Sequence, residues 1–479
     1  MRTGSALALV LLATGCATVA EPEPPPPAPV LATPVALPEA AAPAPAVPPE
    51  AAPVQTEGPP AEVPPRGRID LYEGGDHSDL WARVREGFAV PDLDDDLVRK
   101  WEQWYAREPA YVQRMVERGS RYLFHIVEEI ERREMPTELA LLPFIESAFN
   151  PEAMSRVAAS GMWQFMPATG RHFELRQNVF RDDRRSVLAS TRAALDYLEM
   201  LHGMFGDWHL ALAAYNWGQG NVARAIERNR RAGKPTDYAS LRMPRETREY
   251  VPKLQAVKNI VLRPEAFALE LPPLENHPFF VTVPVERDID VALAARLAEV
   301  SLDEFRQLNP QLNKPVILAA GTPELLLPFD AANRFIKAVA THAGRFASWT
   351  AWVAPRTLKP QEAAKLTGMN EAELREVNRI PPRTLVKAGS TLLVPRADHH
   401  AQDVTEHIAD NAALSLAPEF KPVAAKARRG KAAGTRQAAP VRGRPVASAR
   451  APSKSAAARK PAPAVKTARP APGPRVAQR

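Results

Sequence analysis

Between Asp79 and about Pro264, apolar residues recur at helical spacing. Leu123, Ile126, Val127 and Ile130 fall at i, i+3, i+4 and i+7, with Glu128, Glu129 and Glu131 off that face. Leu188, Thr191, Leu195 and Leu198 follow a similar stripe at i, i+3, i+7 and i+10. Asp207–Tyr215 and Asn221–Arg228 read as two helices broken at Gly218-Gln219-Gly220, and Pro244–Leu262 as another, with proline in its first turn. Thr137–Ser147 starts like a helix: Thr137 can cap it, Glu138 suits the positive end, and Pro143 should kink its last turn. The pattern predicts a compact all-α domain over 79–265.

Beyond Pro278 the periodicity shortens and repeats. The first unit runs Val281-Thr282-Val283, Val291–Glu299, Leu302–Asn309 and Glu324–Pro328; the second runs Trp349–Val353, Pro360–Thr367, Glu371–Asn378 and Ser390–Pro395. Each reads strand, helix, helix, strand, with Leu-Asn or Val-Asn closing the second helix and Leu-Leu-x-Pro ending the unit. The boundaries expected for the two α+β units are 278–330 and 346–397.

Both ends of the chain lack such patterning. Of 479 residues, 50 are proline, and they cluster. Glu21–Pro65 is Pro/Ala-rich with few large apolar side chains, so it should be an extended tether reaching on the order of 100 Å in polyproline II form. A spacer with no tuned length fits the same composition. The tail, 411–479, is rich in Ala, Pro, Lys and Arg and is expected to be disordered. From Lys421 onward it carries about sixteen basic residues and no acidic one. Against a net charge of +7, this leaves the rest of the chain mildly acidic. Cys16 is the one cysteine, which excludes an intramolecular disulfide and a thiolate metal cluster. Before it lie Arg2, a short apolar run Ala6–Ala13 and Thr14-Gly15, a pattern of a signal peptide over 1–15 rather than a membrane span. Small residues directly before a cysteine resemble the lipobox of bacterial lipoproteins, which implies lipid on Cys16. Ala17 at the next position points to the periplasmic face of the outer membrane; an ordinary signal peptide with an incidental cysteine is the alternative.

Candidate chemistry gathers in the helical region. Leu139, Leu142 and Glu146 share a face at i, i+3 and i+7, so Glu146 projects with the apolar side, where burial raises a carboxyl pKa as a general acid near neutral pH requires. A solvated or salt-bridged helix-end glutamate is the plain alternative. Four motifs then follow in order: Glu146-Ser147-Ala148-Phe149-Asn150-Pro151, Gly161-Met162-Trp163-Gln164-Phe165-Met166-Pro167, Ala214-Tyr215-Asn216-Trp217-Gly218, and Pro244-Arg245-Glu246-Thr247-Arg248-Glu249-Tyr250-Val251. Together, over roughly 135–260, they resemble the lysozyme-like domain of the soluble lytic transglycosylase family. The order of parts, from lipobox and tether to C-terminal repeats, is similar to its membrane-bound members. The repeats resemble LysM modules, βααβ domains that bind N-acetylglucosamine polymers. Both depart from the usual Gly-Asp-Thr-Leu entry, with Arg287-Asp288-Ile289-Asp290 and Thr357-Leu358-Lys359-Pro360 in its place. Structural spacers would fit the same pattern.

The resemblance implies a multidomain fold, an all-α lysozyme-like domain followed by two LysM-like units. It implies Glu146 as catalytic acid/base, with Ser155, Gln164, Tyr215, Asn216, Glu246 and Tyr250 binding substrate, and no metal or cofactor. Trp163 stands where the family commonly has methionine and is expected to add aromatic surface to the cleft. Glycosidases normally use two carboxylates. Here one lies in a marked motif, the other candidates being Glu152, Glu174, Asp182 and Asp183. The family's reaction cleaves the β-1,4 bond between N-acetylmuramic acid and N-acetylglucosamine in peptidoglycan, leaving a 1,6-anhydro end. A lysozyme-type hydrolase and a non-catalytic wall-binding scaffold are the alternatives. Expected partners are glycan strands, a membrane through the lipid, and anionic lipid or wall carboxylates for the tail; nucleic acid is not expected, since no aromatic residues interleave the basic ones.

Overall fold

The structure, a computed structural model, describes residues 78–397 and 402–419. The expected signal peptide 1–15, Cys16, the tether to residue 65 and the tail from residue 420 onward lie outside the described residues.

The first half is helical, as its periodicity predicts. Leu123, Ile126, Val127 and Ile130 are all fully buried on the helix Leu123–Glu131, and Thr191, Leu195 and Leu198 on the helix Val187–Phe205. Asp207 caps the helix Trp208–Trp217 by accepting from Leu210 N at 2.8 Å, and the chain restarts at Gly218 as Gln219–Arg231. The helix Arg245–Leu262 is the spine of the domain, packed against Asp96–Arg107 and Trp208–Trp217. It carries Pro252 in its interior, which removes the hydrogen bond that Arg248 O would accept. The Tyr238 hydroxyl replaces it, donating to Arg248 O at 3.0 Å and Thr247 O at 2.9 Å. The helix therefore runs on past its proline.

Beyond Pro278 each repeat closes by pairing its outer strands. Phe280–Pro284 is antiparallel to Glu324–Pro328, and Trp349–Val353 to Thr391–Pro395. Between them lie the helices Val291–Leu297 and Leu302–Leu308 in one unit, and Pro360–Leu366 and Glu371–Asn378 in the other. The repeated asparagine has the same task twice. Asn309 donates to Leu326 O at 2.8 Å and accepts from Leu326 N at 3.0 Å; Asn378 does so with Leu393 at 2.9 and 2.7 Å. A buried amide thus pins the end of the second helix to the closing strand.

Two expectations change, and the missing entry turn finds its reason. The first unit continues past residue 330 into a helix, Phe329–Thr341, whose Ala331, Ala332 and Phe335 complete its core. Residues 411–419, expected to be without structure, are ordered: Leu416–Pro418 pairs with Thr384–Val386, and Leu414 and Leu416 pack on the second unit. That run is too short for a periodic signal, and only the neighbouring strand makes it fold. Asp288, where the expected entry turn is missing, is fully buried. It binds Arg396 at 2.5 Å and accepts from Ala319 N and Val404 N at 3.0 Å each, tying the first unit to the end of the second.

The helical domain also grips the repeats. Phe180, on the loop before Val187, enters a cluster with Val316, Leu318, Leu393 and Ala412, while Asn313 N donates to Phe180 O at 2.7 Å.

Candidate active site around Glu146

The segment 137–147 is two helices in series, a 3-10 turn Thr137–Leu141 and an α-helix Leu142–Ser147. Pro143 falls in the first turn of the second, where its missing N–H costs nothing, so it starts that helix instead of kinking its end. Thr137 does not cap; its hydroxyl donates to Val84 O at 2.6 Å. Glu138 does not face an open helix end but is buried beside Lys258, 2.9 Å away. Glu146 is 4 % exposed, on the same side as the fully buried Leu139 and Leu142. Directly after it, Ala148 and Phe149 both adopt left-handed conformations, with φ of 52° and 54°. Neither residue favours that region, so tertiary packing must hold it: Phe149 is fully buried, edge-on to Phe144 at 4.6 Å.

Glu146 Oε1 accepts from the Tyr250 hydroxyl at 2.5 Å, and Oε2 is buried with no hydrogen-bond partner. Burial pushes this carboxyl up to about 7; the Tyr250 hydrogen bond opposes that, Glu246 adds to it, and Lys253 opposes it. Burial, reinforced by the charge of Glu146, also holds Tyr215 and Tyr250 well above the ordinary tyrosine value, so both remain hydrogen-bond donors. Tyr215 donates to Trp163 O at 2.9 Å. Asn216 Oδ1 accepts from the Thr247 hydroxyl at 2.9 Å, while its Nδ2 is buried and unpartnered. Two donor-acceptor groups with unused capacity, one carboxyl oxygen and one amide nitrogen, thus lie among side chains from three helices. Native proteins rarely bury such atoms without a partner, and a catalytic role is one of the recognised reasons.

The loop from Asn150 to Pro167 forms another wall. Ser147 Oγ donates to Met162 O at 3.0 Å, joining the loop to the helix of Glu146. Gly161 has φ +86°, and a Cβ there would stand 1.9 Å from Arg184 O, so only glycine fits. Gln164 also lies in the left-handed region (φ 51°) and donates to Gly161 O at 2.7 Å. Ser155 Oγ accepts from Ala159 N at 3.0 Å, closing a tight turn, and makes no direct hydrogen bond to Glu146. Trp163 corrects an expectation. It is fully buried, with Nε1 donating to Thr191 at 3.1 Å, and adds no surface to a cleft.

None of the second carboxylates considered from sequence faces Glu146. Asp182 and Asp183 are paired at 2.7 Å with Arg184 and Arg181, and Glu152 and Glu174 point outward. The acidic neighbour of Glu146 is Glu246. The sequence reading also missed Lys253, which lies three residues beyond Tyr250 on the same helix; that spacing was the available signal.

Residues 125–237 match the transglycosylase SLT domain family, and residues 279–344 match the LysM-like domain of lytic transglycosylase MltD. A protein of Alteromonas sp. (strain M-1) named for tributyltin chloride resistance is 39% identical over 193 residues, 40% of this chain and 90% of that one. The chain belongs to the SLT-domain family. Membrane-bound lytic murein transglycosylase D of Escherichia coli (strain K12) is 35% identical to this SLT-domain protein over 264 residues, 55% of this chain and 58% of the relative. The chain thus spans under two thirds of that relative's length. Membrane-bound lytic murein transglycosylase F 2 of Alkalilimnicola ehrlichii is 33% identical over 139 residues, 28% of this chain and 30% of its own. The SLT match holds Glu146, Ser155, Gln164, Tyr215 and Asn216, while Glu246 and Tyr250 lie beyond its end.

Proposed function

We propose that this SLT-domain protein is a lytic transglycosylase of peptidoglycan, with Glu146 acting alone as acid and then base. The observation that carries this is a buried carboxyl poised near neutrality, with one oxygen held by Tyr250 and the other unpartnered. A group with a pKa near the working pH can both give and take a proton efficiently. Glu146 protonates the glycosidic oxygen between N-acetylmuramic acid and N-acetylglucosamine, and the bond from that oxygen to C1 breaks. The carboxylate then accepts the proton of the muramic C6 hydroxyl as O6 bonds to C1. The product has a 1,6-anhydro end, Glu146 is protonated again, and no water is consumed. Tyr250 fixes the carboxyl, Tyr215 holds the loop through Trp163 O, and Asn216 Nδ2 is free to donate to the sugar. Ser155, Gln164 and Glu246 complete the substrate-binding set.

The digestion of purified sacculi with the wild type and with Glu146→Gln tests this. Products lighter by one water than hydrolysed ends, released by the wild type alone, are expected. Ordinary reducing ends would instead support a hydrolase with Glu246 as second carboxylate, since Glu246 is the acidic group that faces Glu146. Binding to sacculi without release of products would support a scaffold.

The relatives named as membrane-bound support the same placement for this chain, on the periplasmic side of the envelope. In this reading Cys16 carries lipid at the outer membrane and the proline-rich tether spans to the wall. The second βααβ unit is a further LysM-like copy, and the basic tail contacts anionic lipid or wall carboxylates. Labelling with radioactive palmitate, lost in Cys16→Ala, tests the anchor.

A further inference from the structure

The helix Arg245–Leu262 brings one more charge to Glu146. Residues 246, 250 and 253 are four and three positions apart, so at about 100° per residue they lie within roughly 60° of one another. The direction of this stripe is fixed by its middle member, because the Tyr250 hydroxyl rests 2.5 Å from Glu146 Oε1. Glu246 stands about one turn before it and Lys253 about one turn after it. Two opposite charges therefore bracket the tyrosine that holds the carboxyl.

Lys253 differs from its neighbour Lys100, which shares the same aromatic ring. The two ammonium groups lie 4.5 and 4.9 Å from the centroid of Trp101. Lys100 is paired with Glu249 at 2.9 Å, whereas Lys253 forms no ion pair among the described residues. The charged groups that face it are Glu246 and Glu249 on its own helix, Glu146 on Leu142–Ser147 and Lys100 on Asp96–Arg107. Burial lowers its affinity for a proton, and the three carboxylates resist that loss. Packing alone would be served by an apolar side chain, since a half-buried ammonium without a paired carboxylate is costly. The field it casts on Glu146 gives it a use.

We propose that Lys253 is a positioning residue for Glu146: its ammonium, steadied on Trp101, favours the ionised carboxylate, and Glu246 on the other side of Tyr250 opposes it. The proposal rests on Glu146 as the acid/base. A single group that must be an acid in one step and a base in the next needs both protonation states within reach. Desolvation alone disfavours the carboxylate that Glu146 becomes when it gives up its proton in the first step. Lys253 makes the carboxylate accessible, and Glu246 prevents that stabilisation from going too far.

Full-length wild type, Lys253→Met, Lys253→Arg and Glu246→Gln are compared in two ways. The first is the rate of sacculus solubilisation against pH. The second is the carboxyl ¹³C titration of Glu146, assigned by its absence in Glu146→Gln. The first step needs protonated Glu146, so activity falls as pH rises through its pKa. Lys253→Met should move both that alkaline limb and the ¹³C midpoint upward by about one pH unit. Glu246→Gln should move both downward, and Lys253→Arg should stay near wild type. A purely structural lysine would scale the rate equally at every pH and leave the midpoint in place; that result, or a downward move in Lys253→Met, overturns the proposal. If the wild type releases nothing from sacculi, the assigned activity fails, and the ¹³C midpoints still decide whether Lys253 governs Glu146. Should Lys253→Met fail to fold, the downward move of Glu246→Gln and a Lys253→Gln variant read the same electrostatics.

Discussion

Two glutamates eight positions apart, at the two ends of one short segment, are both buried and have opposite fates. Glu138 is 1 % exposed and fully engaged: it accepts from Ala89 N at 3.0 Å and Val90 N at 2.9 Å and pairs with Lys258 at 2.9 Å. Lys258 in turn binds Asp92 at 2.8 Å and donates to Val90 O at 3.0 Å. Glu146 is 4 % exposed and accepts from Tyr250, with its second oxygen unpartnered. Burial is common to both, so burial does not by itself make a catalytic acid. The difference is how completely the charge is satisfied. A carboxylate held by two backbone donors and an ammonium is an anchor, whereas one held by a single hydroxyl can be protonated near neutrality.

Substitutions at the two sites should therefore separate function from stability. The largest effect is expected in activity: Glu146→Gln should lower the rate of glycan release about a thousandfold or more, measured by product mass and yield, with the fold intact. At the other end, Glu138→Ala strands the Ala89 and Val90 N–H groups and removes one of the two carboxylates beside Lys258, and should destabilise by about 2–4 kcal/mol in chemical denaturation. A loss below about 1 kcal/mol would break the contrast.

A subtler difference lies in pH. The folded-state pKa of Glu146, about 7, is above its unfolded value, so the native state holds the extra proton. Its stabilising contribution is full below about pH 4.5 and is lost as pH rises to about 7. Glu146→Gln, which stays neutral, should thus be more stable than wild type at pH 8, by up to about 3 kcal/mol, with the gain vanishing towards pH 4.5. Denaturation midpoints at those two pH values check the sign. The smallest effects belong to the repeats. Asn309→Ala and Asn378→Ala each strand a buried N–H and C=O of the closing strand and should cost about 1–3 kcal/mol apiece, leaving the titration of Glu146 unchanged.

Much of this was legible from residue order. The helical stripe at Leu123, Ile126, Val127 and Ile130 is a local property, and the structure buries all four. The repeat signature around Asn309 and Asn378 was also visible, although its reason was not, since the partner strand lies about 15 residues away. Trp163 was misread because an aromatic residue in a motif gives no sign of which way its ring points. Thr137 and Glu138 were misread because their partners, Val84 and Lys258, are distant in sequence. Residues 411–419 were misread because their order comes from pairing with Thr384–Val386.

The sequence by itself determined the helices, the two repeats and the carboxyl group that projects with the apolar side of its segment. These depend on periodicity and on motifs a few residues long, where spacing along the chain is also spacing in space. The tertiary structure alone decided that Glu138 would be paired with Lys258, that Glu146 would be left with one oxygen unpartnered, and that Tyr250, Glu246 and Lys253 would act on it. Those outcomes depend on which helix packs against which, because a carboxyl's proton affinity is set by atoms within a few ångströms, and more than a hundred residues separate Lys253 from Glu146 along the chain.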